Sequence, residues 1–190
     1  MIKRNGLLFF VKLKKQLILK LVVLFFLVLF CSPVFASSPV NAGIVNGIWY
    51  SKLPFFVGDN VRIYTAIQNQ SGFDIRGKVK FFDNGEVIGE TNFTASNGSF
   101  IKEWTDWNVS YGQHRISAQI IEVSRINENS EQISLSLDFI NTDQQFADYD
   151  TDYDGVGDKD DLDRDNDGLT NQEELELGTD PLVIDTDGDG

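Results

Sequence analysis

From residue 61 the chain alternates strictly, with Val61, Ile63, Thr65 and Ile67 on one side and Arg62, Tyr64, Ala66 and Gln68 on the other. That period of two is the pattern of a strand with one buried face. Gly58 and Asp59 provide a turn before it. Two further apolar runs, 79–82 and 86–88, flank Asp83, Asn84 and Gly85, and an Asn-Gly pair between apolar runs predicts a tight hairpin. Similar runs at 44–50, 100–107, 115–122 and 133–140 are separated by Asn97-Gly98, Tyr111-Gly112 and the polar stretch 127–130. Seven short strands at this spacing predict a mostly β fold, an immunoglobulin-like sandwich over residues 37–140. About a hundred residues suffice for one modest core.

The pattern breaks at both ends. Residues 1–36 carry six Lys or Arg and no acid, with an apolar run from Leu21 to Cys31 followed by Ser32 and Pro33. This predicts a secretory signal peptide cleaved before Ser37. An uncleaved anchor is the alternative, but Lys20 and Pro33 confine the run to fewer than the roughly 20 apolar residues a span needs. Phe30 before Cys31 does not fit a lipidation site. Cleavage removes the only cysteine, so no disulfide stiffens the exported chain.

At the other end, polar residues 141–149 predict a linker, and beyond it aspartate falls on every second position. Asp163, Asp165, Asp167 and Gly168 are followed by Glu174, the spacing of a twelve-residue calcium loop. Calcium takes six to eight oxygens. Asp163, Asp165 and Asp167 offer carboxylates from positions 1, 3 and 5, and Gly168 makes the sharp turn. The Leu169 carbonyl serves position 7, Asn171 serves position 9 through water, and the longer Glu174 closes the site with both oxygens. A preceding loop repeats the scheme with Asp150, Asp152, Asp154, Val156 as the carbonyl donor, Asp158, and the shorter Asp161 as closing ligand. Asp161 lies two residues before Asp163 and is a candidate to serve both loops. A third set, Asp185, Asp187 and Asp189, stops at Gly190, so the chain is expected to continue into further repeats or another domain. A short helix is expected from Thr170 to Leu177 with Gly178 as its cap. Leu175, Leu177 and Leu182 are expected to pack it on the neighbouring repeat.

The second of these loops resembles that of an EF-hand, and Asp150, Asp152, Asp154, Gly155, Gly157, Asp158 and Asp161 resemble the thrombospondin type 3 repeat. The stretch 169–181, with Thr-Asn-Gln-Glu-Glu and Gly-Thr-Asp-Pro, resembles the cysteine-free bacterial form. The order of signals before it, Gly58-Asp59, then Asn69 to Gly72, then Asp83 to Val87, resembles bacterial cell-adhesion-related modules of the immunoglobulin-like fold. These resemblances imply a calcium-binding array behind an adhesion-type sandwich.

Charge sharpens the picture. The net charge is −13, and residues 146–190 hold 17 acids against only Lys159 and Arg164. Nucleic-acid binding is excluded as a function class. His114 is the only histidine, so a Ser-His-Asp triad would have to use it, and its setting among turn residues predicts a plain strand position instead. Trp49, Trp104 and Trp107 are expected in or at the edge of the core; exposed and co-planar, they would instead indicate sugar binding. The expectation is an exported, non-enzymatic protein, secreted or on the cell surface, periplasmic or outer-envelope sites included. Its partners would be calcium ions and a surface protein or polysaccharide, with membrane contact only through the export signal. The alternatives are a carbohydrate-binding accessory module of a secreted hydrolase, or an envelope anchor with a peptidoglycan-binding domain beyond residue 190.

Overall fold

Alternation along the chain becomes two facing sheets. The computed structural model describes residues 39–127 and 129–188; the expected export signal, Ser37, Cys31, Asp189 and Gly190 lie outside them. The elements are β1 Val40–Tyr50, β2 Asn60–Asn69, β3 Ile75–Asp83, β4 Glu86–Ala95, β5 Phe100–Asn108, β6 Gly112–His114, β7 Ile116–Arg125, β8 Leu135–Leu137, β9 Phe139–Asn141, β10 Gln145–Ala147 and the helix α1 Asn171–Leu177. One sheet runs β5-β2-β1-β8 and the other β4-β3-β7-β9, with a separate pair β10-β6. The fold is an immunoglobulin-like sandwich, mostly β, followed by the loops and one short helix.

The inward faces are those the alternation selects. Val61, Ile63 and Ile67 of β2 meet Ile75, Val79 and Phe81 of β3 and Ile116, Ala118 and Ile120 of β7 in one buried cluster. The hairpin expected at Asn84-Gly85 is present: both residues have positive φ, 50° and 90°, as its primed turn requires.

Two features depart from the seven-strand expectation. The run 133–140 is not one strand. It pairs first parallel with β1 as β8 and then, after Asp138, antiparallel with β7 as β9, so one segment crosses between sheets and closes that edge of the sandwich. Gly43 permits the crossing: its φ is 150°, and a β-carbon there would run into the Leu137 carbonyl. Gly43→Ala is expected to cost about 2–3 kcal/mol through strain and overpacking, read as a lower urea midpoint. An unchanged midpoint would show that β8 yields without cost.

The second departure lies in 141–149, expected as a linker. Within it Gln145, Phe146 and Ala147 pair antiparallel with His114, Gln113 and Gly112, and Ala147 is fully buried in the sandwich core. The signal is weak in sequence because one small residue, not an apolar run, is the anchor.

Candidate functional site

The acidic segment folds as two copies of one loop. In the first, the Thr151 amide donates to Asp158 Oδ1 at 2.9 Å; in the second, the Arg164 amide donates to Asn171 Oδ1 at 3.1 Å. The Asp158 amide donates to the Tyr149 carbonyl and the Asn171 amide to the Leu162 carbonyl, at 2.9 and 2.8 Å. Asp152 and Asp165 each accept from the amide two residues on, as do Asp154 and Asp167. Gly155 and Gly168 take φ of 95° and 97°, and the residues two before them, Tyr153 and Asn166, take 64° and 57°. Every partner recurs 13 residues later. The 13-residue spacing already set by the aspartates, shorter than the 22-residue recurrence of Asp163 at Asp185, is carried by the hydrogen bonds to positions whose residue types differ, Thr151 with Arg164 and Asp158 with Asn171.

These turns gather the carboxylates. Asp150, Asp152 and Asp154 each place an oxygen within 4.8 Å of the others, and so do Asp163, Asp165 and Asp167. The second cluster has a floor: Asp165 is 3% exposed and Glu174 1%. Glu174 projects from the first turn of α1, which the Thr170 capping box starts and the left-handed Gly178 ends. Thr170→Ala removes that cap and is expected to cost about 1 kcal/mol of local stability, seen as faster amide exchange in 171–178; equal protection would show that other contacts hold the helix.

Burial raises the Asp150, Asp165 and Glu174 carboxyls above their ordinary range. Like charges add to it: Asp152 and Asp154 beside Asp150, Asp167 and Asp163 beside Asp165, and all three aspartates of the second loop beside Glu174. The donor set fits a hard divalent cation on a further observation. Asp150 Oδ1, Asp152 Oδ2, Asp161 Oδ2, Asp163 Oδ1, Asp165 Oδ2 and Glu174 Oε2 are all buried without a hydrogen-bond partner. Buried carboxylate oxygens are normally paired; six orphans along two successive acidic loops are the arrangement of cation ligands. Clustered acids here can hold a divalent ion.

The pH consequence follows in sign. A carboxylate raised by burial favours the compact loop only when protonated, a contribution present at low pH and lost as pH rises through the raised value. Cation and proton compete for the same oxygens. Divalent-cation affinity is therefore expected to fall as pH drops from about 7 to about 5, measured by titration at fixed ionic strength; a flat profile would contradict the buried placement.

The remaining expected residues divide. Asp158 and Asn171 spend oxygens on the amide of the loop's second residue, and Asp158 takes the Thr151 hydroxyl as well, at 2.8 Å. Asp161 gives one oxygen to the Asp163 amide and keeps the other unpartnered. The Val156 and Leu169 amides are held by Asp154 and Asp167, which sets the backbone at the expected carbonyl donors. Asp185 takes the Gly188 amide at 2.9 Å, and Asp187 lies in the same turn. Leu175 and Leu177 do not pack on a neighbouring repeat: they are 65% and 68% exposed, because α1 turns its acidic Glu174, not its leucines, inward. Residues missed in the sequence are Thr151 and Thr179, whose hydroxyls hold Asp158 and the Glu174 carbonyl; their only signal is a threonine beside an aspartate, after Asp150 in one case and before Asp180 in the other.

Within the sandwich, His114 is buried with Nδ1 at 2.6 Å from Asp83 Oδ2 and Nε2 at 2.8 Å from the Ser110 carbonyl. Both nitrogens are engaged, and Trp107 packs edge-on against the ring at 4.9 Å. Trp49 stacks on Tyr64 at 5.7 Å and the Arg62 guanidinium lies 3.7 Å from the centre of Trp104. Trp107 is buried as expected, but Trp104 is 46% exposed and lies in register with Tyr64 and the half-buried Trp49, outside the core.

Residues 163–183 match the family model of the bacterial TSP3 repeat. This segment is a TSP3-like repeat; the first loop, 150–161, lies outside the match. The crystal structure of the CARDB domain of the PF1109 protein from Pyrococcus furiosus, in complex with di-metal ions, is similar at 16% identity over 57% of this chain and 86% of that one, with a TM-score of 0.41. The solution structure of the same domain gives 17%, 57%, 93% and 0.38. A likeness this loose says nothing of what the chain binds. None of the curated proteins matches.

Proposed function

We propose that the chain is an exported, non-enzymatic protein of the cell surface or extracellular space, an adhesion-type sandwich carried on a spacer that calcium stiffens. The carrying observation is the second loop, where Asp163, Asp165 and Asp167 converge on a buried Glu174 with orphaned oxygens on three of the four side chains. Asp150, Asp152, Asp154 and the closing Asp161 would hold a second ion. Bound there, calcium supplies the positive charge that 17 acids among residues 146–190 lack. A seven-residue helix is too short to persist alone in water, so ordering of the segment rests on those ligands. Extracellular calcium modules bind at about 10⁻⁴ to 10⁻³ M, which suits occupation after export. Engagement of both nitrogens of the lone histidine supports the non-enzymatic reading.

Titration calorimetry on chelator-treated protein tests the assignment. Calcium heat is expected in that concentration range and to survive excess magnesium, which demands a tighter octahedron and sheds water reluctantly. Absence of heat overturns the reading, and equal competition by magnesium overturns the choice of calcium.

A further inference from the structure

The acidic array is not tethered to the sandwich by slack chain. Three residues after the buried Ala147 the first cation ligand, Asp150, is already in place. The two residues between them are fixed from both sides.

Asp148 faces both ways. Its carbonyl accepts from the Val57 amide at 2.8 Å, in the turn between β1 and β2, where the next amide, Gly58, bonds the Val109 carbonyl. Its carboxylate reaches the other way and accepts the Lys159 amide at 2.8 Å, inside the first loop. Gly157 lies so close that a β-carbon on it would stand 3.0 Å from Asp148 Cβ. Tyr149 repeats the arrangement with different chemistry. Its carbonyl takes the Asp158 amide at 2.9 Å, while its ring stacks on Tyr111 at 5.4 Å and 21°. Tyr111 in turn meets the edge of Phe146 at 5.4 Å, and the Lys159 ammonium sits 5.6 Å from the Phe146 ring centre.

We infer that the first acidic loop and the sandwich are one cooperative unit, with Asp148 as the strap, so that a divalent cation in the loop stabilises the sandwich itself. The inference rests on the calcium reading above. Its physical basis is linkage: an ion that binds only the ordered loop favours every state in which the loop is ordered. Because Asp148 and Tyr149 belong to both bodies, the β10 end of the sandwich cannot fray without opening the loop. Calcium would thereby fix the array's direction as it leaves the sandwich, in addition to stiffening it.

The sequence supplies a reporter. All three tryptophans, Trp49, Trp104 and Trp107, lie in the sandwich, so tryptophan fluorescence follows sandwich melting alone. At calcium about a hundred times its dissociation constant, the tryptophan transition of the purified protein is expected to rise by about 5–10 °C over a chelator control of equal ionic strength. Asp148→Ala should keep the calorimetric heat and lose most of that rise. Tyr111→Ala, which cuts the aromatic stack from the sandwich side without touching the loop, should reduce it in the same direction. Calcium heat in the wild type with no shift in the tryptophan transition overturns the coupling and leaves the calcium reading standing. No heat at all overturns both. A shift that both variants retain overturns the role of the strap. The variants' own transitions in chelator show whether each has folded.

Discussion

Glu174→Ala is expected to weaken calcium binding at the second loop by at least about a hundredfold, since losing a mere outer-shell partner already costs 10- to 100-fold. Glu174 is the deepest acid of its cluster, 1% exposed, with Oε2 unpartnered. It is also the one expected carboxylate ligand carried by α1, whose start and end are fixed by Thr170 and Gly178. Removing it therefore takes away a carboxylate and the tie between helix and loop together. Asp161→Ala removes a shorter side chain, one oxygen of which already caps the Asp163 amide at 2.9 Å, and should cost less. The calcium midpoint for ordering, followed by circular dichroism, distinguishes the two. If Asp161→Ala proves the more damaging, Asp161 serves both loops and they form one fused unit.

Phe81→Ala is the variant expected to destabilise the protein most, by about 3–5 kcal/mol from lost transfer energy and the cavity left behind. Phe81 is fully buried in β3, the strand that pairs with both β4 and β7, so neither sheet can collapse onto the gap without breaking register. The effect should appear as a lower urea midpoint with an unchanged slope. Calcium affinity at room temperature should stay within about twofold, because the sandwich remains folded and the ligands lie in the loops. A large loss of affinity in this variant would show that the loops depend on core packing far more widely than through Asp148 and Tyr149.

Much of this molecule is readable from its residues because two strong periodicities are present. Alternation at 61–68 selects the buried positions Val61, Ile63, Thr65 and Ile67 of β2, missing only Ala66, which is buried on the other side, and Asn84-Gly85 locates the hairpin, since those signals arise from local backbone geometry. The aspartates at 163, 165 and 167 with Glu174 were legible for the same reason: ligand spacing is a local property, and the three aspartates do converge. What escaped was non-local. The division of 133–140 between two sheets depends on Gly43 standing opposite Leu137, nearly a hundred residues away in sequence. The docking of 145–147 rests on one alanine and three pairings with β6, which no hydrophobic pattern announces. Apolar character alone points Leu175 and Leu177 inward, whereas the buried position on that helix belongs to an acid, a choice that only the convergence of the other carboxylates explains.

The most direct test is a count of bound ions. Native mass spectrometry of the purified protein, at about millimolar calcium to match the expected affinity, should show at least two calcium ions per chain, one for each of the two complete loops, and Glu174→Ala should lower the count. A protein that stays free of calcium under those conditions, or that holds the same number with and without Glu174, would contradict the assignment of these loops as calcium sites.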